Sequence, residues 1–171
     1  MVDRESPAVP LPPRPPRMPR MRPAPGAVVV DVPFRVAFHD VDAMQVVWHG
    51  NYIKYFELAR SELERRMQLT HDVVLRHGLV CPVVDVHCRY LSPLRDGDEG
   101  RARAFIVDAD RSLLIAYEIF NDTTRRKAAE GYTVQVALAA DTFELVLELP
   151  DAILDGARDA AGLPRLPRGG G

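Results

Sequence analysis

Beyond residue 50 the hydrophobic period of this chain is helical for one long segment and then becomes two residues for four more. That order restricts the fold more than any other feature. From Asn51 onward, Tyr52, Phe56, Ala59, Leu63 and Met67 recur at helical spacing, and Ile53, Tyr55 and Leu58 widen the apolar face. A face that broad predicts a helix largely surrounded by protein. Thr70 is placed to cap a short second helix through Val73, Val74 and Leu75, which Gly78 ends. Four alternating segments follow, 79–91, 100–108, 112–120 and 127–138. Their linkers, Ser92-Pro93 with Asp96-Gly97-Asp98, then 108–111, then 121–124, carry turn chemistry and predict antiparallel hairpins. Upstream, 28–38 alternates so that Val30, Val32, Phe34, Val36 and Phe38 share one face. The expected class is α+β: a five-stranded antiparallel sheet covering a central helix, with a last amphipathic piece over 149–157. Such a sheet has two open edges, so pairing with another copy is the expected assembly.

The 171 residues suit a single core. Residues 1–25 hold nine of the fifteen prolines and five arginines against Asp3 and Glu5, a composition that blocks helix and sheet. Residues 1–26 are therefore read as a disordered Pro/Arg-rich arm, 27–158 as the folded domain and 159–171 as a flexible tail. The arm is either a solvated extension or a basic strap for an acidic carrier domain or a membrane surface. With the net charge of −2 and the arm at +3, the remainder carries −5, which gives no electrostatic case for nucleic acid. No apolar run is long enough to span a membrane and no secretory signal is legible. Cys81 and Cys88 are too far apart on one extended segment to bridge, so reduced thiols and a cytoplasmic location are expected. His71, His77, His87 and Cys88 match no zinc spacing, and no phosphate-cradling glycine loop occurs, so no metal and no cofactor are expected.

The chemistry concentrates in 39–52, His-Asp-Val-Asp-Ala-Met-Gln-Val-Val-Trp-His-Gly-Asn-Tyr. A thioester is an activated acyl group with a good leaving group, since a thiol's pKa is about 8.5. Its hydrolysis needs one carboxylate, to attack or to activate water, and donors for the charge developing on the carbonyl oxygen. A helix N-terminus supplies such donors, and the helix starting near His49 to Asn51 lies seven to nine residues past Asp42. Asp40 reads as a loop-building residue and His39 as a surface or packing histidine. Glu57 reads as a helix-surface partner of Arg60. Arg125 and Arg126, with Lys127, form a compact basic turn, either solvated or placed to grip phosphates.

The runs 34–43 and 46–60, with Asp42-Ala43, Val46-Val47-Trp48-His49 and Asn51-Tyr52 at their centre, resemble the hot-dog-fold acyl-CoA thioesterases of the 4-hydroxybenzoyl-CoA thioesterase type. The bacterial Tol-Pal-associated thioesterases are included in that likeness. It continues through Tyr90-Leu91-Ser92-Pro93-Leu94 and Gly97-Asp98 and covers residues 28–142. The resemblance implies a hot-dog fold and hydrolysis of an acyl-CoA or acyl-carrier-protein thioester. It implies catalysis by Asp42, as nucleophile or general base, with His49 beside it and backbone N–H at the helix start polarising the carbonyl. Gln45, Trp48, Gly50 and Asn51, with Arg125 and Arg126, are the expected substrate-binding positions. The resemblance further implies a homodimer or dimer of dimers with Asp42 of one chain facing the helix start of its partner, and an acyl slot between central helices. The chain departs from the family at Met44-Gln45, where glycine is frequent and a positive φ is thereby easy. Two other readings use the same scaffold: a noncatalytic acyl-thioester sensor, and a dehydratase, whose His-centred loop is not found here.

Overall fold

The computed structural model describes residues 21–147 and 149–165. Most of the expected N-terminal arm and the last six residues of the expected tail lie outside these. In chain order the elements are β1 (Val29–Arg35), α1 (Tyr52–Met67), α2 (His71–Arg76), β2 (Leu79–Val80), β3 (Val83–Tyr90), β4 (Glu99–Ala109), β5 (Leu113–Asn121), β6 (Arg126–Gln135), β7 (Leu138–Ala139) and α3 (Asp151–Ala160). Five strands form one antiparallel sheet in the order β1-β4-β5-β6-β3, and β2 pairs with β7 alone. This is the hot-dog fold: the sheet wraps α1, whose Tyr52, Tyr55, Phe56, Ala59 and Leu63 are buried.

The helical spacing of those five residues is what places them against the sheet. The Phe56 ring stacks on Tyr117 of β5 at 4.5 Å, and Tyr55 stacks on Phe34 of β1 at 4.1 Å. Phe56 and Leu63 have no solvent exposure, and each such side chain contributes about 1.5–3 kcal/mol by burial. The helix ends at Gln68 in a left-handed conformation, with Arg65 and Arg66 in the last turn pairing with Glu62. Thr70 precedes α2 and its carbonyl accepts the N–H of Val73 and Val74, but its side chain makes no cap bond.

The structure departs from the sequence reading at several points, among them Leu58, expected on the apolar face of α1 but 45% exposed. The expected strand over 79–91 is interrupted at Cys81-Pro82, because proline cannot donate to a ladder; β2 leaves for β7 and β3 joins β6. Phe38 does not continue the buried face of β1: the strand stops at Arg35, a short 3-10 turn covers Phe38–Asp40, and Phe38 is 80% exposed. The boundary expected at 158 is passed by α3. Ala160 and Ala161 are in the core, Val28 N–H donates to the Ala160 carbonyl, and Arg165 pairs with Asp155 and Asp159.

Candidate active site

The loop between β1 and α1 is built around Asp40. Its buried carboxylate accepts hydrogen bonds from the Tyr55 hydroxyl at 3.1 Å and the Lys54 ammonium at 3.3 Å. Its carbonyl accepts the Asn51 side-chain amide and the Trp48 N–H, both at 2.9 Å. One residue thus ties the loop to the first turn of α1 and to the helix start. Burial, and then the Asp40 carboxylate, push the Tyr55 phenol above its ordinary value, so it remains a donor.

From this anchor the chain makes a tight reversal. Val41 bridges Val47 antiparallel, Asp42 N–H donates to the Val46 carbonyl at 2.9 Å, and Gln45 N–H donates to the Asp42 carbonyl at 2.9 Å. Oδ1 of Asp42 accepts the Met44 N–H at 2.8 Å, an Asx turn that sets the carboxylate's direction. Among the described residues no hydrogen bond reaches Oδ2. Gln45 closes the turn at φ +60°, so the left-handed geometry that glycine would favour is present here in a glutamine. Its side chain is exposed.

Val47 N–H then donates to the Leu94 carbonyl at 2.8 Å, and His49–Asn51 forms a 3-10 turn that leads into α1. Among the described residues, the N–H groups of His49 and Gly50 donate to no backbone carbonyl. They are free donors at the positive end of the helix, two and three residues beyond the Val41–Val47 bridge. The Tyr90 hydroxyl donates to the His49 carbonyl at 3.0 Å and ties the turn to β3.

Gly50 lies beneath the ring of its neighbour. A Cβ there would stand 2.2 Å from the Trp48 ring, which lies across the glycine and contacts the His49 imidazole at 4.8 Å between centroids. Trp48 and His49 are both exposed, so the paired indole and imidazole stand open to solvent at the start of the helix.

The structure therefore gathers Asp42, Gln45, Trp48, His49 and Gly50 on one short path. Asn51 stands at the N-cap position of α1 but is buried, has helical dihedrals, makes no side-chain cap bond and gives its amide to the Asp40 carbonyl. Arg125, in the β5–β6 turn, and Arg126, the first residue of β6, are exposed at the end of the sheet where Tyr90 pairs with Ala129. They share the site's end of the sheet rather than its floor. Glu57 pairs with Arg60, which also holds Glu64, so its carboxylate serves the helix surface. Sequence reasoning missed Tyr55, Tyr90 and Leu94 as supports of the loop. Asp40, two residues before Asp42 and on the same parity, was the available signal for a buried anchor; Tyr90 carried none.

Residues 36–156 match the sequence profile of the thioesterase-like superfamily. The chain is 28% identical over 87 residues to the putative acyl-CoA thioesterase YneP of Bacillus subtilis, an alignment covering 50% of this chain and 63% of YneP. It thus spans just under two thirds of that relative. It is 30% identical over 101 residues to the acyl-CoA thioester hydrolase YbgC of Escherichia coli O6:H1, covering 51% of this chain and 75% of YbgC. Its fold is similar to that of a 1,4-dihydroxy-2-naphthoyl-CoA thioesterase from Synechocystis, with a TM-score of 0.68 at 19% identity over 77% of this chain and 97% of the other. The profile match begins at the residue after β1, takes in the whole Asp42–Asn51 path, and runs into α3 over well over half of the chain. The chain belongs to the thioesterase-like superfamily.

Proposed function

We propose that this protein hydrolyses an acyl thioester, carried on coenzyme A or on a carrier protein, to the free acid and the thiol. One observation carries the reading: a carboxylate oriented by its own turn stands on the same loop as two unused N–H donors at a helix start. The N–H groups of His49 and Gly50 receive the carbonyl oxygen as it gains charge. Asp42 either attacks the carbonyl carbon, giving an anhydride that water then opens, or takes a proton from a water that attacks directly. In both cases the C–S bond breaks, the thiolate leaves, and one water is consumed. His49 stands beside the leaving thiolate and hands it a proton. Trp48 and Gln45 border the acyl carbonyl, while Arg125 and Arg126 offer positive charge to phosphates arriving at that end of the sheet.

We further read the working form as a homodimer joined through β3. Among the described residues this eight-residue edge strand pairs only with β6, and Val83, Val84 and Val86 are exposed along it. Continuing the sheet into a second copy satisfies the open edge and covers those valines. Two such dimers can pair in turn. The free thiols of Cys81 and Cys88 fit a reducing, cytoplasmic setting. No helix among the described residues is long and apolar enough to cross a membrane.

The direct test is Asp42→Asn, assayed by thiol release from a panel of acyl-CoA and acyl-carrier-protein thioesters. Turnover should fall by about a hundredfold or more. Near-normal turnover would remove Asp42 from the chemistry, and a wild-type protein that binds the panel without releasing thiol would favour the sensor reading. Single turnover in heavy-oxygen water separates the two roles, since only the anhydride route can leave label on the Asp42 carboxylate.

A further inference from the structure

The outer face of β3 carries a charge pattern that complements its own two-fold copy. On this strand Asp85 stands opposite Val134 of β6, His87 opposite Tyr132 and Arg89 opposite Glu130. All three lie on the outer face of the sheet: the His87 ring stacks on Tyr132 at 5.4 Å between centroids, and Arg89 donates to Glu130 at 3.3 Å. Val86, Cys88 and Tyr90 alternate with them and face the α1 side, as does their neighbour Gly131, where a Cβ would meet the Phe56 ring.

The charges of this row are unevenly satisfied. Asp85 is exposed, and among the described residues it has no hydrogen bond or ion pair. Arg89 is exposed and uses only Nη1, on a glutamate that Lys127 also contacts. Its Nε and Nη2 remain for a second carboxylate. Asp85 of the same chain cannot supply it, because four residues of extended strand separate the two by about 13 Å. The complement of each lies on another strand.

Symmetry limits how a second β3 can provide it. Two copies that pair antiparallel are related by a two-fold axis normal to the sheet, which keeps every side chain on its own face. Directly opposed residues share a face, so the axis passes at a residue and never between two. Centring on Asp85 or on Arg89 opposes a charge to itself. Centring on Cys88 sets His87 against Arg89 of the partner subunit and leaves Asp85 opposite Leu91 of the partner subunit. Centring on Val86 turns Asp85 to His87 of the partner subunit, but it leaves Arg89 facing a valine and Tyr90 facing Pro82 of the partner subunit, which has no N–H. Centring on His87 sets Asp85 opposite Arg89 of the partner subunit twice. The same register puts Val86 opposite Cys88 of the partner subunit, and it brings Val84, the extra residue of the β3 bulge, beside Tyr90 of the partner subunit.

We propose that β3 recognises a second copy of this chain in the single register centred on His87, with the two Asp85–Arg89 ion pairs across the axis as its selecting element. The register rests on the homodimer reading above and fixes which residues meet in it. It also ties assembly to the site: Tyr90, which donates to the His49 carbonyl, is backed by Val84 of the partner subunit.

The test is sedimentation velocity of the full chain over a dilution series, on wild type, Asp85→Arg, Arg89→Asp and an equimolar mixture of the two variants. Each variant alone opposes like charges at both pairs, so its dimer dissociation constant should rise about tenfold or more. Mixed, the two variants regain opposite charges at both pairs, and a heterodimer should form with an affinity within about threefold of wild type. Mixing holds every effect within a chain fixed, including the loss of Arg89 from Glu130. In a Cys81→Ser, Cys88→Ser background, mild oxidation should convert His87→Cys to a covalent dimer and leave Val86→Cys uncoupled, since only a residue at the axis meets itself. The mixing experiment decides alone if that background does not fold. A wild-type dimer that the single variants do not weaken, that mixing does not restore, or that couples through Val86→Cys overturns the register and leaves the homodimer. A wild-type monomer throughout the series overturns both.

Discussion

The Tyr55 hydroxyl donates to the carboxylate of Asp40 across 3.1 Å and fifteen residues of sequence, and through that bond the central helix holds the loop that carries Asp42. The bond is buried and one partner is charged, so it belongs among the stronger hydrogen bonds of the fold.

Removing it with Tyr55→Phe leaves the ring stack on Phe34 intact and deprives the Asp40 carboxylate of its better-buried donor, since Lys54 is largely exposed. Urea denaturation should show a loss of about 1–3 kcal/mol. Thiol release should fall too, because the loop's register depends on Asp40. An unchanged midpoint and unchanged activity would mean that the Asn51 and Trp48 bonds to the Asp40 carbonyl hold the loop by themselves.

Gln45 sits at φ +60°, a conformation that costs a residue with a Cβ about 1 kcal/mol or more. Gln45→Gly should therefore leave the turn intact, with stability equal to or up to about 1 kcal/mol above that of the parent. Gln45→Val should lose about 1 kcal/mol or more, since a branched Cβ tolerates that region poorly. Thermal melts of the two variants suffice; a valine variant as stable as the glycine one would show that the turn can shift its dihedrals freely.

Gly50→Ala places a methyl where the Trp48 ring now lies. The clash should cost about 1–3 kcal/mol and tilt the His49 and Gly50 N–H groups, lowering thiol release by about ten- to a hundredfold. Trp48→Ala in the same protein frees the space, so a double-mutant cycle should return most of the lost stability. Simple additivity of the two changes would place the strain elsewhere.

On the β3 edge, Val84→Lys together with Val86→Lys puts two like charges on each side of the proposed two-fold contact. Sedimentation velocity should show the wild type at a multiple of 19.1 kDa and the double variant as a monomer. Thiol release should fall with the assembly. A wild-type monomer at micromolar concentration would end the dimer reading.

Much of the architecture was legible because hydrophobic periodicity responds to burial. Tyr52, Phe56, Ala59 and Leu63 share one helix face, and all four are buried in the structure. The alternating segments become β3, β4, β5 and β6, each near its expected position. Periodicity reads less well where a local covalent feature overrides it. Pro82 splits one expected strand into two that join different sheets, and the turn after Arg35 releases Phe38 to solvent. The end of the domain was misjudged because alanines carry little hydrophobic signal. Ala157, Ala160 and Ala161 nonetheless enter the core.

The sequence by itself determined the central helix, the main strands in their order and the short path from Asp42 to Asn51, since each depends on residues close along the chain. Only the tertiary structure decided which groups on that path are spent and which are free. Asn51 gives its amide to Asp40, Tyr90 arrives from 41 residues away to hold His49, and the N–H groups of His49 and Gly50 are left without a backbone partner. Hydrogen-bond satisfaction is a property of three-dimensional neighbours, and no one-dimensional pattern encodes it.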